Sequence, residues 1–172
     1  MSKGCAAIEV EADPIGADFV GRGFDFGVRL GEDIEKDMVI TRIGPDIRMA
    51  VVGSPSYFAD KTVPRSPEKL SEHACIAYRR PLSGRILPWE FSKRGRSVRV
   101  RVDGSLVFNR PSTIVTAAKD GHGIGYVPED YVLQACEDGQ LVRILEDWCS
   151  PFPGFHLYYT RTVGKNLRPR RF

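Results

Sequence analysis

Residues 105–145 restrict the fold more than any other part of the chain, because they read strand, helix, strand, helix, strand. Leu106-Val107-Phe108 is the first strand. Ile114, Val115, Ala117 and Ala118 then recur at helical spacing, and Gly121 closes that helix. Residues 124–127 form the next strand, and Pro128-Glu129-Asp130 opens a second helix with acids where the helix dipole favours them. Val132, Leu133, Ala135 and Cys136 make its inner face, Gly139 ends it, and residues 141–145 are the third strand. Alternation of this kind builds a parallel sheet, and such sheets take ligands where strands end and helices begin. The expected class is α/β.

Shorter signals surround that core. Ile8-Glu9-Val10-Glu11 alternates apolar and charged residues, as a strand with one wet face does. Residues 24–30 are a second strand fenced by Gly23 and Gly31, and 38–43 and 47–52 are apolar runs joined by a turn at Gly44-Pro45-Asp46. Ser54-Pro55-Ser56 has the form of a helix start with Ser54 as N-cap, and Ser66-Pro67 repeats it. Residues 75–78 read as a short strand. Trp89-Glu90-Phe91 and residues 97–102 flank Lys93-Arg94-Gly95-Arg96 as a hairpin with a basic turn, and residues 155–159 supply one more strand.

Composition excludes several classes. A chain of 172 residues suffices for one full core or two small lobes, and no apolar run is long enough to span a membrane. A cytoplasmic location is expected. Residues 161–172 hold five basic residues and no acid, which leaves twenty basic against twenty-two acidic residues elsewhere. Such a tail is more often a solvated end than a nucleic-acid contact. Cys5, Cys75, Cys136 and Cys149 form no Cys-x-x-Cys pair and have no histidine at ligand spacing, so reduced thiols are expected, with no metal and no cofactor.

Chemistry is best placed at Asn109-Arg110-Pro111-Ser112-Thr113. A helix start presents unpaired N–H groups and favours an anion, and Arg110, Ser112 and Thr113 add a guanidinium and two hydroxyls suited to a carboxylate. The plainer alternative is that Asn109 or Ser112 only caps the helix. Ser54 and Ser56 offer a second helix start with the same two readings. Gly121-His122-Gly123-Ile124-Gly125 superficially suggests a phosphate loop, but it follows a helix and precedes a strand, the wrong order. His73 and Cys75 lie two apart on one strand face with no activating geometry implied. No nucleophile elbow, zinc-protease or paired-carboxylate signature occurs, so no enzyme is expected.

Several segments, taken in order, resemble the effector-binding domain of LysR-type transcriptional regulators. They are Gly23-Phe24-Asp25-Phe26-Gly27-Val28-Arg29-Leu30-Gly31-Glu32, the run around Ser54-Pro55-Ser56-Tyr57, and Pro67-Glu68-Lys69-Leu70-Ser71-Glu72-His73-Ala74-Cys75-Ile76. Trp89-Glu90-Phe91, Gly121-His122-Gly123-Ile124-Gly125 with Pro128, Gly139-Gln140-Leu141-Val142 and Leu145-Glu146-Asp147-Trp148 complete the series. The resemblance implies a two-lobed fold similar to type II periplasmic binding proteins, with a small acidic or aromatic effector between the lobes. It assigns residues 1–53 to a partial first lobe, 54–150 to the second lobe, and 151–172 to a return strand and the start of a C-terminal helix. By the same transfer Ser54 lies near a crossover, Asn109, Arg110, Ser112 and Thr113 line the second lobe's wall, Pro128 lies at the cleft rim, and Trp89 closes one end.

The family's winged helix-turn-helix and linker helix find no counterpart here, nor do the first strand and helix of the first lobe, since Ile8-Glu9-Val10-Glu11 resembles that lobe's second strand. The expected partners are therefore a small-molecule effector, a carboxylate by its chemistry, and sibling domains in homo- or hetero-oligomers. DNA contact is expected only through the helix-turn-helix. The rival reading is an interaction protein that joins intact regulators without binding ligand or DNA; a small-molecule binder unconnected with transcription comes third.

Overall fold

The computed structural model describes residues 10, 23–30, 38–81 and 83–160. In chain order these form β1 (Gly27–Leu30), β2 (Met38–Arg42), β3 (Met49–Gly53), α1 (Pro55–Phe58), β4 (Cys75–Tyr78), β5 (Trp89–Lys93) and β6 (Arg96–Val100). There follow β7 (Leu106–Phe108), α2 (Pro111–Lys119), β8 (Ile124–Pro128), α3 (Leu133–Glu137), β9 (Val142–Ile144) and β10 (Phe155–Thr160). Short 3-10 turns fill Pro67–Glu72, Glu129–Tyr131 and Glu146–Trp148. The strand expected at residues 8–11, the helix expected near the C-terminus and the basic tail lie outside the described residues, Val10 apart.

Three sheets divide these strands, one of them the two-stranded ribbon β5-β6. Of the other two, the smaller is antiparallel with order β1-β10-β2, and the larger has order β7-β4-β8-β3-β9. Within the larger, β4 is parallel to β7 and β8, whereas β3 runs antiparallel to both β8 and β9. The three strands of the alternating series, β7, β8 and β9, thus run in one direction as expected, together with β4, and the sheet is mixed only because β3, of opposite direction, is set between β8 and β9. The reason is legible in composition: Ala50, Val51 and Val52 are all buried, so β3 carries apolar residues on both faces and seeks the middle of a sheet. The apolar runs either side of Gly44-Pro45-Asp46 accordingly do not pair with each other; β2 joins β10, and β3 joins β8 and β9. The position between residues 53 and 54 falls at the end of β3, a strand of the larger sheet.

Each face of the larger sheet has its own core. Ala50, Val52, Ile76 and Val127 meet Ile114, Val115, Ala117 and Ala118 of α2 on one side, with Val132 and Ala135 from the α3 region. Leu133, expected on the inner face of α3, is 46% exposed instead. That helix is only five residues long, and Ala135 and the partly buried Cys136, with Val132 just before it, supply its contact stripe. The opposite face packs Val51, Cys75, Ala77, Tyr126 and Ile144 against Trp89 and Phe91 of the β5–β6 hairpin. Fully burying a side chain as large as Phe91 contributes about 2–3 kcal/mol, so this small two-stranded ribbon is held as firmly as the helices opposite.

The β1-β10-β2 sheet and the larger sheet are connected by crossing segments that pair. Ile47 and Phe152 exchange two backbone hydrogen bonds of 2.9 Å, and Ile43 N–H donates to the Phe155 carbonyl at 3.0 Å. Gly154 lets them approach, because a Cβ there would stand 1.9 Å from the Pro45 carbonyl oxygen. Arg48 then ties the crossing to the larger lobe, its guanidinium donating to the Cys149 carbonyl at 2.6 Å and to the Glu146 carbonyl.

Candidate functional site

The three mutually parallel strands β7, β4 and β8 finish at Phe108, Tyr78 and Pro128, all on one edge of the larger sheet. β3 begins at that edge, where Met49 lies opposite Pro128, and the crossing segments reach the sheet there. This is the carboxyl edge, where open α/β sheets receive their ligands. Asn109 and Arg110 leave β7 at the same edge and lead into α2.

Pro111 sets the first turn of α2, having no N–H to lose at a position where none is bonded. Arg110 occupies the N-cap position in extended conformation, and no side chain caps the helix; only the Arg110 carbonyl is used, by Ile114 N–H at 3.3 Å. Neither Asn109 nor Ser112 performs the capping that was the plainer expectation. Asn109, Arg110, Ser112 and Thr113 are all exposed, and Arg110 has no ion pair among the described residues. Arg110, Ser112 and Thr113 are thus exposed around a helix start that no side chain caps. Pro128 lies at the same edge two strands along, roughly 10 Å away at the usual interstrand spacing.

Ser54 and Trp89 are placed elsewhere. Ser54 follows β3 at the opposite edge, about 17 Å from Met49 at the usual rise per residue. It is 2% exposed, and its hydroxyl accepts from Tyr57 N–H at 3.2 Å and pairs with the Ser56 hydroxyl at 2.9 Å, so N-capping of α1 accounts for it. Trp89 is 1% exposed and stacks on Tyr126 with ring centroids 5.2 Å apart, inside the core beneath the hairpin.

The glycine cluster after α2 is structural. Gly121, at φ 81°, ends the helix, with its own N–H donating to Ala118 and His122 N–H donating to Ala117. A Cβ at Gly123 would meet the Ala74 carbonyl at 2.5 Å, and one at Gly125 would meet Ile114 at 2.9 Å, so both mark close packing rather than a phosphate cradle. Nor do His73 and Cys75 form a dyad. His73 Nδ1 faces the Tyr57 hydroxyl at 3.3 Å, while the Cys75 thiol points to the Leu70 carbonyl and burial pushes its pKa up to about 12. Among the described residues no group of His, Cys, Asp or Glu is placed to hold a metal, and no helix is long and apolar enough to cross a membrane. Cys75, Cys136 and Cys149 are free thiols.

Arg48 and Gly154, which shape the crossing, carried no signal in sequence. Their partners are distant along the chain, 98 to 101 residues for Arg48, and no local pattern encodes such pairs.

A mixed α/β sheet joined by paired crossing segments to a small antiparallel sheet, with the start of α2 at the end of the sheet those segments reach, is the layout of a two-lobed regulatory domain. Residues 8–170 match the LysR substrate binding domain, and the chain belongs to that family: it is a regulatory, effector-binding domain of the LysR type. It is 46% identical over 142 residues to the HTH-type transcriptional regulator PgrR of Escherichia coli, covering 83% of this chain and 48% of that protein. The full-length virulence activator AphB of Vibrio cholerae superposes with TM-score 0.75 at 23% identity, covering 91% of this chain and 52% of that one. The regulatory domain of AphB from Vibrio vulnificus does so with TM-score 0.73 at 24% identity, covering 89% of this chain and 74% of that one. These two likenesses speak for the fold, the two-lobed arrangement of periplasmic binding proteins. The chain spans about half the length of the curated relatives it matches. Those relatives are transcriptional regulators, a non-enzymatic class.

Proposed function

We propose that the domain senses a small carboxylate held at the start of α2. The observation that carries this reading is the uncapped helix start: a nine-residue helix with no side chain on its first N–H groups, followed directly on Arg110. An anion there gains from the dipole and from the guanidinium together, whereas a neutral ligand gains from neither. Ser112 and Thr113 supply the hydroxyls that orient it, and Pro128 borders the same edge. Ser54 and Trp89 are not part of the proposed site, being committed to a cap and a core stack. In the intact regulator, DNA contact belongs to a helix-turn-helix and the domain works within an oligomer; here the effector changes the angle between lobes about the crossing segments.

Calorimetric titration of the full chain with a panel of mono- and dicarboxylates tests this. The double variant Arg110→Ala, Ser112→Ala should bind the best carboxylate at least about tenfold more weakly, the scale of one charge-assisted hydrogen bond. Unchanged affinity would remove the helix start from the site.

A further inference from the structure

A second concavity lies on the other face of the larger sheet. It has a volume of about 520 Å³, within the range of small-molecule sites, and is walled by the β5–β6 hairpin, by Tyr126 of β8, by Met49 at the start of β3 and by Phe152 of a crossing segment. None of Asn109, Arg110, Ser112, Thr113 or Pro128 lines it. The alternation of side chains along β3 and β8 explains the separation. Ala50, Val52 and Val127 point toward α2, whereas Met49, Val51 and Tyr126 point toward the hairpin.

Met49, Tyr126 and Phe152 give the lining its apolar part, Ser92 and Ser97, cross-strand neighbours on the hairpin, add hydroxyls, and Glu90 and Arg99 line it as well. Two arginines line the concavity, and one of them, Arg99, is committed to Glu90 at 2.6 Å. Arg80, which lines the concavity, has no side-chain hydrogen bond or ion pair among the described residues. A guanidinium without a described partner, in one lining with Met49, Tyr126 and Phe152, matches an apolar body that bears an anionic group.

We infer that this concavity is an accessory site for an aromatic carboxylate, with Arg80 as its anion contact and Tyr126 and Phe152 against the ring. Because Met49 directly follows one crossing segment and Phe152 lies in the other, a molecule lodged there touches both sides of the hinge. It biases the lobe angle independently of the helix-start site. The inference does not rest on the reading given above for α2.

The test is an amide-shift titration of the 15N-labelled full chain with 2-naphthoate, alongside the neutral 2-naphthamide. Saturable shifts at Met49, Ser92, Ser97 and Phe152 are expected, with the amide analogue about tenfold weaker. Arg80→Ala should weaken 2-naphthoate about tenfold and abolish the preference over the amide, whereas Arg110→Ala should leave these shifts unchanged. Ser97→Trp, at an exposed hairpin position, should fill the mouth and remove binding without unfolding the chain. Shifts confined to Ser112 and Thr113, or no saturable shift up to about 10 mM, would overturn the accessory site. The first of those results would leave the helix-start reading intact.

Discussion

Ser54 illustrates how one residue can satisfy a functional and a structural description until its neighbours are known. Its hydroxyl is occupied by Tyr57 N–H and by Ser56, and its surroundings are closed. Replacing it with alanine should cost about 1–2 kcal/mol, the upper range for an N-cap because the N–H left behind is nearly buried. Urea unfolding of Ser54→Ala should show that loss while carboxylate affinity at the α2 start stays unchanged; a binding defect at full stability would restore Ser54 to the site. Arg110 is the converse. It is exposed, uncommitted and next to uncapped N–H groups, so its substitution should alter binding and leave stability nearly untouched.

At the level of elements, the crossing segments decide how the lobes communicate. Residues 43–48 and 152–155 lie so close that Gly154 has no room for a side chain, and Arg48 pins them to the turn at Glu146–Trp148. Gly154→Ala forces the Pro45 carbonyl aside and should destabilise the domain by about 1–3 kcal/mol, the usual range for overpacking. Small-angle scattering should report an altered lobe separation in the same variant. An unchanged unfolding midpoint and scattering curve would show the crossing to be looser than its geometry. The elements themselves were largely legible: the Ser-Pro helix starts, the basic hairpin turn and the alternating series from β7 to β9 each carry their own local signal. The direction of β3 was not, because strand direction depends on where the chain enters a sheet. Leu133 was misplaced for a related reason, since a five-residue helix has too few turns for periodicity to single out its buried face.

For the molecule as a whole, the core between sheet and hairpin sets the response to alkali. Burial pushes the Cys149 thiol up to about 11 and the Cys75 thiol up to about 12, from 9.0 in an open chain. Burial also raises the Tyr126 hydroxyl, which donates to the Glu90 carbonyl at 2.8 Å. Between the open-chain and folded values the native state holds more protons than the unfolded one. Stability is therefore complete below pH 9 and falls as pH rises through 11 and 12. Urea midpoints should follow that decline, and the double variant Cys75→Ala, Cys149→Ala should show a shallower slope whatever its absolute stability. A flat profile above pH 9 would contradict the burial of these thiols.

The sequence by itself determined the α/β class, the family, the order of the elements and the helix start at Arg110 and Ser112. Each rests on local spacing or on a chain-ordered series of motifs, and local physics writes such features into neighbouring residues. Only the tertiary structure decided which helix start stays open, that Trp89 lies in the core, and that β3 enters its sheet backwards. It alone also brought Arg80 into one lining with Met49, Tyr126 and Phe152. Those outcomes depend on contacts between residues far apart in the chain, and no periodicity within either partner records the other.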